Sequence, residues 1–221
     1  MNNSLEPTRQ VPRVRIKICG LTRSEDVRAA CDYGADAIGF VFYPKSKRCL
    51  TPQQAAELNR HRQVFVSSVA LFVEPEDRLV RSVLDSVKPT YLQFHGDETP
   101  EQCRRFDWPY IKAFRVGAPG LDTANGLLEK CLQYSDASAW LFDSYTEAYG
   151  GSGHGFDRTL LSEVLRQTKV PVILSGGLQV DTVADLVDSL KPVAVDVSSG
   201  VEIEPGIKSP DKIRAFIEAL S

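Results

Sequence analysis

Histidine is scarce in this chain: His61, His95 and His154 are the three in 221 residues, and no two stand at a metal-ligand spacing such as H-x-x-x-H. A resident metal centre is not expected, although a cation carried in by a substrate is compatible with the pattern. The five cysteines, Cys19, Cys31, Cys49, Cys103 and Cys131, are scattered and form no C-x-x-C pair, which argues against a disulfide framework and a zinc site alike. No apolar stretch approaches the roughly 18 residues of a membrane span, and residues 1–12 lack the order of a secretory signal. The sequence reads as a soluble, cytoplasmic protein. Positive charge is not in excess either. Lys and Arg number 26 against 29 Asp and Glu, a formal net charge of −3, so there is no general electrostatic reason to bind nucleic acid or an anionic membrane. Any anionic ligand must be caught locally. Finally, no linker interrupts the chain, and no G-x-G-x-x-G follows its first strand-like segment.

What is there is a repeated alternation. Residues 1–12, polar and carrying Pro7 and Pro12, read as a flexible leader, and residues 13–221 as one domain. Strand-like runs fall at 14–18, 37–42, 65–73, 90–94, 110–115, 139–143, 171–175 and 193–197. Helix-length patterns lie between and after them at 24–33, 52–61, 76–87, 99–106, 122–134, 157–167, 180–189 and 210–220. Thr51-Pro52, Thr99-Pro100 and Ser209-Pro210 each combine an N-cap with a proline at the first helical position. Eight strand-then-helix units imply parallel strands, and in a single domain of this size they point to a closed (β/α)8 barrel, with an open doubly wound sheet as the alternative. In a barrel, chemistry belongs at the carboxyl ends of the strands.

Several residues fall there. Cys19 ends the first strand, and alternation puts it on one face with Arg15 and Lys17, opposite Val14, Ile16 and Ile18. The Lys17 ammonium is expected to favour a thiolate, making Cys19 a candidate base or nucleophile. Asp143 ends the sixth strand in the same way; its bland reading is a turn residue. The loop that follows holds Gly150-Gly151-Ser152-Gly153-His154-Gly155, whose glycines free backbone N–H groups to converge on an anion. Small, glycine-bearing loops also follow strand seven, Ser175-Gly176-Gly177, and strand eight, Ser198-Ser199-Gly200. Loops seven and eight are the usual phosphate site of a barrel, so a phosphorylated ligand is expected. On strand eight, Asp196 should point inward and face Lys17 across the closing seam, as a satisfied buried pair or as part of the site. Gln93 and His95 share a polar face of strand four, where a histidine is more often a hydrogen-bonded packing residue than a catalyst. In the basic loop 43–48, otherwise readable as a solvated charge run, Arg48 is the group able to grip a carboxylate with two parallel bonds.

Taken together, Lys17-Ile18-Cys19-Gly20-Leu21-Thr22, Gly39-Phe40-Val41-Phe42 with Ser46-Lys47-Arg48, Gln93-Phe94-His95-Gly96, Lys112-Ala113-Phe114, Phe142-Asp143, Gly150-Gly151-Ser152-Gly153, Ser175-Gly176-Gly177-Leu178 and Asp196 to Glu202 stand in the order and spacing of another set. The chain, over about residues 14–220, resembles the phosphoribosylanthranilate isomerases. The resemblance implies an Amadori rearrangement in tryptophan biosynthesis, from N-(5-phosphoribosyl)anthranilate to 1-(2-carboxyphenylamino)-1-deoxyribulose 5-phosphate, with no cofactor or metal. It implies Cys19 as general base and Asp143 as general acid. Arg48 is then expected to hold the anthranilate carboxylate. Lys17, Asp196, Gly151, Ser152, Gly153, Gly155, Gly176, Gly177, Ser198 and Ser199 complete the expected substrate site, and the protein should be a monomer or homodimer. One departure stands out: His154-Gly155 occupies the place of the family's usual Lys-Thr or similar pair. Rival readings are an indole-glycerol-phosphate synthase, a ribulose-phosphate epimerase or a catalytically silent phosphate-binding barrel. The lysine and glutamates of the first and the metal-ligating histidines of the second are not apparent, and the third does not require Cys19 or Asp143.

Overall fold

The computed structural model describes residues 13–144 and 158–221. The leader expected over residues 1–12 and the run from Gly150 to Gly155 lie outside the described residues.

Eight parallel strands close into a barrel in chain order: β1 (Arg15–Cys19), β2 (Ala37–Val41), β3 (Ser67–Phe72), β4 (Tyr91–Phe94), β5 (Tyr110–Val116), β6 (Ala139–Ser144), β7 (Val172–Leu174) and β8 (Ala194–Val197). The helices are α1 (Ser24–Asp32), α2 (Pro52–Asn59), α3 (Asp77–Ser86), α4 (Pro100–Arg104), α5 (Ala124–Leu132), α6 (Arg158–Gln167), α7 (Val183–Leu190) and α8 (Pro210–Glu218). β8 closes the ring on β1 with Lys17 in register with Asp196, and α8 packs on α1 behind that seam. The observed elements fall within the expected segments, give or take a residue or two, because strand alternation and helix caps carry most of the local information.

Alternation sorts each strand into two layers. Outward-facing Ile16, Ile18, Phe40, Phe72, Phe94, Phe114, Trp140, Phe142, Val195 and Val197 are buried beneath the helices. Their rings continue one another: Phe42 stacks on Phe72 at 5.3 Å between centroids, and Phe114 meets Trp140 edge-on at 6.2 Å. Each such side chain, fully buried, contributes about 1.5–3 kcal/mol. The interior is filled by a smaller apolar set, with Ala113, Leu141, Ile173 and Ala194 in register across β5 to β8. Val193, the first residue of the expected run 193–197, stands just before β8 and is half exposed.

The helix starts follow the sequence signals. Thr51 and Thr99 each form a reciprocal capping box with a glutamine three residues on, Gln54 and Gln102, and Ser209 accepts from the Lys212 backbone N–H. A cap of this kind is worth about 1 kcal/mol. One element lies beyond the sequence reading. After β8 a short 3-10 turn, Ser199–Val201, leads into an antiparallel hairpin of β9 (Glu202–Glu204) and β10 (Ile207–Lys208), turned at Pro205-Gly206 with Gly206 at φ +92°.

Candidate active site

The carboxyl ends of the strands surround one cleft, open at its mouth. Cys19, Arg48, His95, Asp143, Asp196, Ser175, Gly177, Ser198 and Ser199 all line it, together with apolar walls from Val41, Leu71 and Leu178. Of the expected site residues within the described chain, Lys17 and Gly176 lie just behind this lining. Gly151, Ser152, Gly153 and Gly155 fall outside the described residues.

Cys19 ends β1 on its inner face and is 4% exposed. The neighbouring strand makes room for its sulfur: Gly39 of β2 is in register with Cys19, and a Cβ there would come within 2.8 Å of Sγ. Below the thiol, Lys17 Nζ donates to Asp196 Oδ1 at 2.9 Å, with both side chains buried. This is the seam pair that alternation implies. Burial pulls the lysine's pKa down, but Asp196 and the neighbouring sulfur outweigh it and hold it above the ordinary value.

The thiol does not behave as the sequence suggests. Burial pushes the Cys19 pKa above the usual thiol range; Lys17 and Lys208 oppose this, and Asp196 adds to it. The expected depression by Lys17 is present but outweighed. A neighbouring ammonium lowers a thiol's pKa only as far as its own charge is uncompensated, and here Asp196 compensates it.

Asp143 projects from the end of β6. His95 Nε2 lies 3.1 Å from Asp143 Oδ2, and His95 Nδ1 lies 3.0 Å from Gln93 Nε2. With the Gln93 amide donating to Nδ1, the neutral imidazole carries its proton on Nε2 and donates to Asp143. His95 is thus both the hydrogen-bonded residue the sequence suggests and a member of the site, in contact with the candidate acid. The backbone around His95 is fixed from behind. Lys112, buried on β5, donates to the Gly96 carbonyl at 2.6 Å and to Glu98 Oε2 at 2.9 Å, and Glu98 accepts from the N–H groups of Glu74 and Gly96. On the other side of Asp143, Gly176 has φ +82°, and a Cβ there would come within 2.4 Å of Asp143 Oδ1. Glycine lets loop seven reach the carboxylate.

Arg48 reaches the cleft from the loop after β2, but it is not a lone basic group. Its Nε and Nη2 donate to Glu202 Oε1 and Oε2 of β9 at 2.7 and 2.6 Å. Lys208 of β10 adds a bond from Nζ to Glu202 Oε1 at 2.8 Å and another to the Ser198 carbonyl at 3.0 Å. Glu202 is held below the usual carboxylate range: burial would raise it, and the hydrogen bonds from Arg48 and Lys208 prevail. Sequence reasoning missed both Glu202 and Lys208 as site residues. The Pro205-Gly206 turn between alternating residues was the available signal.

Among the described residues, no three His, Cys, Asp or Glu side chains come together as a metal site, and no helix is long and apolar enough to cross a membrane. The geometry offers a thiol, a carboxylate partnered by histidine, a guanidinium with an unused edge, and two small-residue loops, all facing one cleft. That combination suits proton transfer on a doubly anionic small molecule.

Comparison with known proteins gives the same direction. The sequence model of N-(5'-phosphoribosyl)anthranilate isomerase matches residues 16–219. The enzyme of that name from Bordetella pertussis is 56% identical over 209 residues, covering 94% of this chain and 96% of that one. Among solved structures, phosphoribosyl anthranilate isomerase from Thermotoga maritima superposes with a TM-score of 0.85 at 39% identity, covering 94% of this chain and 98% of that one. A further phosphoribosyl anthranilate isomerase, solved with reduced 1-(o-carboxyphenylamino)-1-deoxyribulose 5-phosphate, gives 0.79 at 36% identity, with coverage of 94% and 98%. With the match running through nearly every strand and loop that builds the cleft, the chain belongs to the N-(5'-phosphoribosyl)anthranilate isomerase family.

Proposed function

We propose that this chain carries out its family's isomerisation with Cys19 as general base and Asp143 as general acid. The reaction follows from family membership: an aldose–ketose rearrangement of N-(5'-phosphoribosyl)anthranilate in tryptophan biosynthesis. What carries the assignment of roles is that a thiol from β1 and a carboxylate from β6 line the same cleft.

The chemistry needs one group of each kind. Opening the ribose breaks the C1–O bond as a proton reaches the ring oxygen, and Asp143 in its protonated form supplies it. The nitrogen lone pair then makes an iminium, which acidifies the hydrogen on C2. Cys19, as thiolate, takes that proton and leaves an enolamine, which tautomerises to the ketone. In the free enzyme burial keeps the thiol protonated beyond the ordinary range. The iminium's positive charge, formed beside the sulfur, favours the thiolate at the moment it is needed.

Remote groups set the sugar between the two. Ser175, Gly176, Gly177, Ser198 and Ser199 surround the place for the 5-phosphate, and Arg48 that for the anthranilate carboxylate. Gly151, Ser152, Gly153 and Gly155 enter this reading from sequence alone. Asp196 lines the cleft with Lys17 bonded to it from beneath, and both stay in the proposed substrate site. Binding at both ends fixes the reacting carbons against acid and base. The bound compound of the solved relative carries the same two ends, a carboxyphenylamino group and a 5-phosphate. A cytoplasmic location and a monomeric or homodimeric state belong to the same proposal; the Thermotoga maritima relative is described as dimeric.

The test follows loss of phosphoribosylanthranilate fluorescence with purified protein. Cys19→Ala and Asp143→Asn should each lower kcat by about 10² to 10⁴ with phosphate affinity little changed. Unaltered turnover in either variant removes that residue from its role.

A further inference from the structure

The hairpin after β8 reaches further into the site than a connection needs to. Its Glu202 carboxylate is almost completely buried and accepts four hydrogen bonds: from Arg48 Nε and Nη2, from Lys208 Nζ, and from the Gly206 N–H at 3.2 Å. The hairpin is itself pinned to the loop after β1 and to the first turns of α1. Thr22 Oγ1 donates to the Gly206 carbonyl, the Lys208 N–H donates to buried Asp26, and Arg23 donates to the Lys208 carbonyl. Glu202 therefore stands on a rigid base.

Two features connect this base to ligand binding. Glu202 occupies the Nε/Nη2 edge of Arg48, so that Nη1 and the outer hydrogen of Nη2 remain as a second edge for a planar carboxylate. The charges also count. Arg48 and Lys208 share one carboxylate, so the trio carries a net single positive charge beside the cleft, and an incoming carboxylate balances it. On the far side Gly20 at φ +74° lets β1 close on the arginine stem, where a Cβ would come within 2.4 Å of Arg48 Cδ.

We propose that Glu202 is a positioning residue: it fixes Arg48 in the orientation that receives the anthranilate carboxylate. The inference rests on the reading that Arg48 grips the substrate carboxylate. It predicts an effect specific to that carboxylate, which a purely architectural role for the hairpin does not.

The experiment compares kcat and KM for N-(5'-phosphoribosyl)anthranilate and for N-(5'-phosphoribosyl)aniline, which lacks the carboxylate. Glu202→Gln should raise KM for the anthranilate substrate about 10- to 100-fold, the scale of a charged hydrogen bond, and change the aniline substrate less than threefold. In an Arg48→Ala background the same substitution should add less than a twofold effect, since its route of action is gone. Equal losses on both substrates, or full additivity with Arg48→Ala, overturn the proposal. If Arg48→Ala alone leaves the ratio between substrates unchanged, the reading beneath it falls instead. Glu202→Asp, whose shorter stem keeps the charge but not the reach, gives the same comparison should Glu202→Gln fail to fold.

Discussion

Gly39→Ala isolates the position of the Cys19 sulfur from its chemistry. Gly39 faces Cys19 in register across β1 and β2, and its backbone lies outside the left-handed region, so alanine carries no conformational strain there. The added Cβ would sit 2.8 Å from Sγ and 3.2 Å from both Cys19 Cα and Lys17 Cε. Favourable contacts settle near 3.5–4.0 Å, so the sulfur has to retreat by about 1 Å. Misplacing a reacting group by that distance costs about 10²-fold, and kcat should fall accordingly. KM should stay within a fewfold, because neither the phosphate loops nor Arg48 is touched. Overpacking of this kind costs about 1–3 kcal/mol, a fall of roughly 2–12 °C in melting temperature for a domain of this size. Continuous fluorescence kinetics and a thermal melt on the same preparation measure both. A folded Gly39→Ala protein whose kcat lies within twofold of the parent refutes the claim that the thiol's placement governs the rate.

Other outcomes follow from the same geometry. Because burial raises the Cys19 pKa, the thiolate absorbance lost on Cys19→Ala should appear only above about pH 8.5, the ordinary thiol value; a Cys19 thiolate already formed at about pH 7.5 contradicts this. Burial pushes Cys103 up to about 12. Above about pH 8.5 the unfolded chain has therefore lost a proton that the folded one keeps, and stability falls with rising pH by up to about 1.4 kcal/mol per unit. Denaturant titrations from pH 8 to 11 should show Cys103→Ala flattening that slope, and an unchanged slope removes the thiol as its cause. Lys112→Met leaves Glu98 buried with its ammonium partner gone, a loss of about 3–5 kcal/mol, or roughly 6–20 °C in melting temperature. Lys112→Met with Glu98→Gln should recover part of that loss, whereas equal melting of the single and double variants argues against a charge effect.

The barrel was legible because its information is local. Alternation of Ile16, Ile18 against Lys17, Cys19 repeats in the other strands, and the Thr-Pro and Ser-Pro caps mark helix starts without reference to the rest of the chain. Ring closure then made the Lys17–Asp196 pair deducible from two strand patterns. Features that depend on neighbours distant in sequence were not legible in this way. Arg48 and Glu202 are 154 residues apart, and nothing near either one announces the other. The direction of the Cys19 pKa was misread for a related reason: the ammonium two residues away is visible in the sequence, but the desolvation that outweighs it comes from the whole barrel wall. His95 shows the limit from the other side, since its polar face was evident but its contact with Asp143 depends on β4 and β6 ending at matching heights.

The Lys17–Asp196 bond joins the first strand to the last, directly beneath the reactive sulfur. During synthesis β1 is made early and β8 late, and seven strands without the eighth leave Lys17 without its counter-ion and Arg48 without Glu202. Catalytic competence therefore arrives with the final few dozen residues rather than accumulating as the barrel grows. A chain that stops short of β8 lacks the floor of its own active site, however much of the remaining sheet has formed.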